Sequence, residues 1–102
     1  LPLVWQYNLN GVAVNTGSLV PVVRIRALTS CNPQGTETGA FTENKQTPGN
    51  SNFQFSTRTF QWKFNWQTKE FGAGCYNVYI RLLNSDGVTI IQDNGPMKVQ
   101  LR

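Results

Sequence analysis

Apolar and polar residues alternate along most of the chain, and a period of two is typical of β-strands. The clearest case is the stretch FQWKFNW at residues 60–66. Strict alternation places its four large rings on one side of one strand. If that side faced solvent, Lys63 would be buried without a partner. We therefore predict that the rings form core and not an exposed stacking platform for sugars or bases. The rings are those of Phe60, Trp62, Phe64 and Trp66.

The same period recurs at both ends of the chain. In LPLVWQYNL every odd position is apolar, and Asn10-Gly11 follows as a strong turn signal. In VPVVRIRAL and CYNVYIRLL, alternate positions are apolar and predict one buried face on each strand. The predicted core residues are Trp62, Phe64, Trp66, Tyr76, Val78 and Ile80. The apolar positions of the first strand are Leu1, Leu3, Trp5, Tyr7 and Leu9.

Turn-forming residues separate these patterns. Residues 30–52 are rich in Ser, Thr, Asn, Gly and Pro and are predicted to be a loop. Their length favours either a functional loop or a short strand near Phe41. FQFS and TFQWKFNW predict a hairpin, and VTII and MKVQL predict two separate last strands divided by DNGP. Seven or eight short strands without a helical pattern predict an all-β, immunoglobulin-like β-sandwich of two antiparallel sheets, with residues 1–102 as one domain.

Composition and charge narrow the classes of function. Charged residues are 14% of the chain and the net charge is +4. The basic residues are scattered, whereas a nucleic-acid binder concentrates them, so no nucleic-acid partner is expected. No window approaches about 20 apolar residues, so no membrane span is expected. Low charge and a first residue other than Met favour a processed or excised protein that is secreted or on the cell surface.

Two cysteines, Cys31 and Cys75, support the same compartment. An even number of cysteines in an oxidising environment predicts a disulfide between them. Two buried free thiols are the alternative, since unpaired cysteine also packs as a small hydrophobe.

The residues that most catalytic sites need are scarce. The chain has no His, and two cysteines cannot build a cysteine-rich zinc site. The five acidic residues fall in predicted loops and turns, so no catalytic residues, metal or cofactor are expected. Asp86-Gly87 could offer calcium ligands, but Asp-Gly is more often only a turn. The acidic residues are Glu37, Glu43, Glu70, Asp86 and Asp93.

Two stretches together resemble the bacterial PxKF domains. In NTGSLVPVVRI, Gly17-Ser18 and Pro21 match the family, whereas Val23 and Arg24 stand where Lys and Phe are typical. FQWKFNWQTKEFGAGCYNVYIRLLNSDG is similar to its second signature. The resemblance covers roughly residues 15–101 and implies an immunoglobulin-like sandwich of secreted or surface-anchored proteins, without catalytic residues. The matching positions of the second signature are Asn65-Trp66, Thr68-Lys69, Ala73-Gly74-Cys75-Tyr76 and Asp86-Gly87.

Three functions are compatible with this pattern. The first is a non-catalytic structural or adhesive module of an extracellular or cell-surface protein, whose partners are other protein domains or copies of itself. The second is a filament subunit that donates its N-terminal strand, residues 1–9, to a neighbour, as in strand-addition assemblies. The third is a carbohydrate-binding module that presents Tyr7, Phe71 or Tyr79 to a surface glycan.

Overall fold

Nine β-strands and one short 3₁₀ turn make up the protein in a computed structural model, which describes residues 1–48 and 52–102. The 3₁₀ turn is Thr68–Glu70. No helix in these two ranges is long and apolar enough to cross a membrane. The strands are β1 (Pro2–Gln6), β2 (Asn8–Leu9), β3 (Val12–Ala13), β4 (Val20–Leu28), β5 (Glu37–Lys45), β6 (Phe53–Phe55), β7 (Gln61–Asn65), β8 (Gly74–Leu83) and β9 (Ile90–Leu101).

The strands form two antiparallel sheets and a small hairpin. One sheet has the order β1-β7-β6, the other has the order β5-β4-β8-β9, and β2 pairs with β3. The predicted all-β sandwich is therefore confirmed. In an immunoglobulin sandwich, strands A, B, E and D form one sheet, and strands C′, C, F and G lie in the other. Here β1, β7 and β6 match B, E and D, and β5, β4, β8 and β9 match C′, C, F and G. Among the described residues, no strand occupies the position of strand A beside β1.

The aromatic stretch supplies the centre of the core. Trp62 and Phe64 point inward from β7, Trp66 follows the strand and is also buried, and Lys63 between them is exposed. The indole N–H of Trp62 donates to the Thr16 hydroxyl at 2.9 Å, so burial leaves it paired. The opposing sheet contributes the buried face of β8. Its inward side chains are Tyr76, Val78, Ile80 and Leu82.

Phe60 departs from the predicted alternation. Its φ is 59°, and its N–H donates to the Ser56 carbonyl at 2.8 Å, so it closes the turn between β6 and β7. The strand begins one residue later, at Gln61. The prediction that all four rings share one strand is therefore wrong for Phe60, because Phe60 belongs to the turn before the strand.

The predicted loop over residues 30–52 contains a nine-residue strand, β5. The loop prediction is wrong for this part, and the alternative of a strand near Phe41 is right, although β5 is longer than expected. Most of its side chains are exposed on both faces, so its sequence has no apolar alternation to detect. Pairing with β4 supplies its main-chain hydrogen bonds instead. Residues 49–51 of the predicted loop lie outside the described residues.

The last two predicted strands are one strand, β9, and DNGP lies inside it. Val78 opposes Met97 and Ile80 opposes Asn94, so β9 has one residue more than β8 between these pairs. The extra residue makes a β-bulge, in which Gly95 has a φ of 126°. A bulge explains why turn-forming residues occur within a continuous strand.

A disulfide joins Cys31, in the loop after β4, to Cys75 near the start of β8. The two Cα atoms are 5.3 Å apart, and the bridge spans 44 positions in sequence. Closing a loop of that length restricts the unfolded chain and stabilises the fold by about 4 kcal/mol on the chain-entropy model. The bridge therefore fastens one end of the four-stranded sheet.

The buried hydrogen bond of Trp62 gives a test of the core. Thr16→Val should lower the free energy of unfolding by about 1–3 kcal/mol, because the indole N–H loses its acceptor. Thr16→Ser keeps the hydroxyl and should lose only about 1 kcal/mol for one methyl group. Urea unfolding measures both. In a Trp62→Phe background Thr16→Val should cost much less, and equal costs in the two backgrounds would contradict this account.

Candidate functional site

The outer face of the four-stranded sheet carries a polar cluster centred on Glu37. Its carboxylate accepts hydrogen bonds from Arg26 at 3.1 Å, from the Asn77 amide at 2.9 Å and from the Tyr79 hydroxyl. These donors come from β4 and β8, whereas Glu37 begins β5. One carboxylate therefore ties the edge strand β5 to the two central strands of the sheet.

The cluster holds Glu37 in its ionised form. The hydrogen bond from Tyr79 is the largest cause of a lowered Glu37 pKa, followed by the bonds from Asn77 and Arg26. The same contact raises the pKa of Tyr79, mainly because the ionised phenol could no longer donate its hydrogen bond to the carboxylate. The pair is therefore arranged as a carboxylate acceptor and a neutral phenol donor, which is a structural arrangement within the sheet.

Aromatic and basic side chains pack beside this cluster. The Arg24 guanidinium lies 4.1 Å from the centroid of the Phe41 ring, and the Tyr79 ring meets the same ring edge-on at 5.7 Å. Arg24 also pairs with Glu43 at 2.5 Å. The positive charge on this face is thus balanced by carboxylates, and the rings contact protein neighbours.

The three rings considered for glycan binding are not presented alike. Tyr7 is buried, and its hydroxyl donates to the Arg81 carbonyl at 3.0 Å. Phe71 packs against Trp66, with 5.1 Å between the ring centroids. Tyr79 is half-buried and bonded to Glu37. Carbohydrate binding therefore stays a prediction, and Tyr7 cannot serve it in this conformation.

Two further carboxylates, one in a turn and one on an edge strand, are also engaged. Asp86 accepts bonds from the Val88 N–H, the Thr89 N–H and the Thr89 hydroxyl, and these bonds lower its pKa to about 2. Asp93 pairs with Arg81 at 2.8 Å. In the two described ranges no three His, Cys, Asp or Glu side chains gather where they could hold a metal ion. Asp86 closes a turn, as its sequence context favours.

A different surface is notable for its apolar character. We call it the open side, and define it as β1, the β2–β3 hairpin and β9 with the turn before it. The large apolar side chains that the structure exposes in the described residues belong to these elements, apart from Leu1, which directly precedes β1. Two of them, Val4 and Met97, line the same groove, and exposed apolar surface gathered in one place marks an interaction site more often than scattered single residues do. These side chains are Leu1, Val4, Leu9, Val12, Val88, Ile90, Ile91 and Met97.

An apolar groove runs along the open side between β1 and β9 and has a volume of about 190 Å³. It continues into a second depression of about 180 Å³ beside Gln6 and Asn8, where Gln92 and Asn94 of β9 supply polar groups. The Gln92 amide donates to the Asn8 carbonyl at 3.1 Å and joins β9 to the β2–β3 hairpin there. The apolar part is lined by Leu3, Trp5, Val78, Ile80, Pro96 and Met97.

Met97 shows why this groove exists. It is the cross-strand partner of Val78, so both side chains point to the inner face of the sheet. Val78 is 0% exposed, whereas Met97 is 46% exposed. The difference arises because β1 is the last strand of the opposing sheet and covers β8, whereas β9 lies beyond that edge. Sequence reasoning missed this site because residues 93–96 were assigned to a turn.

The predicted assembly strand lies within the chain's own sandwich. β1 pairs antiparallel with β7, with Leu3 opposite Phe64 and Trp5 opposite Trp62. Leu3 and Tyr7 are buried and Trp5 is half-buried, whereas Leu1 and Leu9 are exposed. The five apolar positions therefore do not form one continuous face. Beyond Gln6 the chain enters the β2–β3 hairpin, which interrupts the alternation.

Comparison of the chain with protein-family models, with curated proteins and with solved structures finds no match. The resemblance to PxKF domains therefore stays a prediction. Function must be argued from the geometry of the open side and of the Glu37 cluster.

The Glu37 cluster predicts a pH dependence of stability. Because its folded pKa lies below the ordinary value of 4.5, ionised Glu37 stabilises the fold above that pH, and this contribution is lost as the pH falls through the folded value. The unfolding free energy of the Glu37→Gln variant should therefore lie below that of the wild type at neutral pH, and the gap should narrow below about pH 4.

Chemical denaturation across acidic pH measures this gap. Tyr79→Phe removes the largest cause of the lowered pKa and should move the acid-induced loss of stability to higher pH. If Glu37→Gln and the wild type lose stability in parallel as the pH falls, the cluster does not hold the carboxylate ionised.

Proposed function

We propose that the protein is a non-catalytic structural or adhesive module of an extracellular or cell-surface protein, and that it holds other polypeptides through its open side. One observation carries this proposal, namely the apolar groove between β1 and β9, which the exposed side chains of Val4 and Met97 help to line. The charged and hydrogen-bonding groups of the Glu37 cluster, in contrast, bind one another within the sheet.

The Cys31–Cys75 disulfide supports the extracellular part of the proposal. Disulfides persist in oxidising compartments and are rare in the cytosol. The low fraction of charged residues, 14%, agrees with a surface of uncharged polar side chains. A small disulfide-bonded sandwich with one apolar side suits a module that joins larger assemblies.

Selection of linear peptides from a displayed library tests the proposal. Peptides enriched on the immobilised protein should bind at least about tenfold more weakly to Met97→Glu, because the variant places a charge in the apolar groove. Thr42→Glu adds the same charge at an exposed position of β5 and should leave binding unchanged. Binders that tolerate Met97→Glu but depend on Phe41 or Tyr79 would move the function to the outer face.

A filament subunit that donates residues 1–9 is the second candidate. It is favoured by one observation, that among the described strands β1 pairs with β7 alone and lies at a sheet edge. Such a strand can leave its sheet for a neighbour's without breaking a second ladder.

Locking β1 in place tests strand donation. Val4 and Lys63 are directly opposed in β1 and β7, so Val4→Cys with Lys63→Cys should form a disulfide that holds β1 against β7. If donation operates, light scattering should show assembly of the wild type at high concentration, and loss of assembly both in the bridged variant and after deletion of residues 1–9. Assembly that survives the bridge, or a wild type that stays monomeric, contradicts donation.

A further inference from the structure

We propose that the groove between β1 and β9 binds an extended, uncharged strand of a partner polypeptide, which adds to the three-stranded sheet beside β1. This inference rests on the proposed function, and it specifies the conformation and chemistry of the segment that the open side holds. Four features of the structure carry it: the main-chain groups of β1, the overhang of β9, the neutrality of the groove and the state of the other sheet edges.

The first feature is a row of outward main-chain groups on β1. Leu1 and Trp66 exchange both main-chain hydrogen bonds, at 2.9 and 3.0 Å. In an antiparallel pair such residues alternate with residues whose N–H and C=O point away from the partner strand. Val4 and Gln6 are therefore directed outward, about 6.8 Å apart along the strand. Pro2, which has no N–H, falls at an outward position too.

The second feature is that β9 extends beyond the edge of the three-stranded sheet. Its inner face bounds the empty space beside β1, which we call the slot. Met97 and Asn94 face inward from β9, and no strand of the described residues lies opposite them. A strand laid beside β1 would cover both side chains. It would then stand where strand A stands in an immunoglobulin sandwich, so the slot has the shape of one missing strand.

The third feature is the absence of charge. Residues 1–23 contain no Asp, Glu, Lys or Arg, although the whole chain has a net charge of +4. The side chains that line the apolar groove and its extension are likewise uncharged. A charged side chain of the partner would lose water there without gaining a counter-ion. The slot thus selects a neutral segment.

The order of the two depressions gives the pattern of that segment. Neighbouring side chains on one face of a strand are two residues apart. One inward side chain of the partner fills the apolar space by Ile80 and Met97 and is itself apolar. The next inward side chain reaches Gln92 and Asn94 and is polar but uncharged. Main-chain hydrogen bonds to β1 provide affinity, and the two depressions provide specificity.

The fourth feature is that the other sheet edges are protected. β6 has three residues, and β5 carries Glu37, Glu43 and Lys45. Short edges and edge charges are common means of preventing strand addition. β9 is interrupted by its bulge at Gly95-Pro96. β1 has none of these protections apart from Pro2 at its start, so it is the edge at which a strand can add.

A second copy of the chain fits this slot poorly. The inward side chains of its own β1, Leu3 and Trp5, pack in its own core, so they can fill a neighbour's groove only if β1 leaves its sheet. Its β5 has no large aliphatic side chain for the apolar depression. Between a second copy and a separate polypeptide we therefore assign the slot to the latter, and self-association is an outcome of the test below.

The test uses a blocked synthetic peptide of about nine residues, in which the residues of one face are alternately Val and Asn and those of the other face are Thr. Trp5 is half-buried beside the slot, whereas Trp62 and Trp66 are buried, so binding should change the tryptophan fluorescence. Val4→Pro removes an N–H that points away from β7, so the variant should stay folded and bind about tenfold more weakly. Val4→Thr keeps the N–H and is the matched control, with binding expected near that of the wild type.

N-methylation of the peptide separates strand addition from other modes of binding. Methyl groups on alternate residues block one edge of the peptide at a time, so only one of the two patterns should abolish binding. If peptides bind and respond to Met97→Glu but tolerate both methylation patterns and Val4→Pro, strand addition is wrong and the proposed function stands. If no peptide binds, and light scattering shows instead that the open side joins two copies of the chain, the partner assignment is wrong.

Discussion

The packing of the β7 aromatic face against β8 is the contact on which the rest of the structure depends. Trp62 and Phe64 point from one sheet, and Val78 and Ile80 point from the other, so the two sheets meet through large side chains on strands of strict alternation. A slip of one residue in either strand would exchange its buried and exposed faces. The register of β7 then fixes its two neighbours, β1 and β6.

The same contact determines which parts of the sheets are left uncovered. β1 lies at the edge of the three-stranded sheet, and its Leu3 and Trp5 reach as far as β8. β9 extends one strand further and keeps its inner face partly open at Met97. Two sheets of three and four strands cannot cover each other completely, and the uncovered strip falls at the open side. The groove is therefore a consequence of the strand count and not of a local deformation.

The buried strands could be predicted from sequence, and the exposed ones could not. Val23 and Ile25 of β4, like Val78 and Ile80 of β8, alternate with polar residues because one face of each strand is buried. β5 has no buried face, and its attachment depends on β4 pairing and on the contacts of Glu37 with Asn77 and Tyr79, which link residues 40 and 42 positions apart. Local patterns carry no signal for such contacts. The sequence also failed to predict that β9 is one continuous strand with a bulge, since Gly95-Pro96 favours a turn as well.

The position of the charges connects these observations. Arg24, Arg26 and Arg81 lie on the outer face of the four-stranded sheet, and each pairs with a carboxylate on an edge strand. These pairs give the edges β5 and β9 charged side chains that oppose pairing with another chain. The described strands of the three-stranded sheet have no such pairs. Because the side chains of β1 are uncharged, no edge charge opposes the pairing of another strand with β1, in contrast to β5. An unprotected, neutral edge next to an uncovered apolar strip is costly to keep in an isolated domain, because it invites aggregation. The proposed binding role would account for both features on the same side of this sandwich.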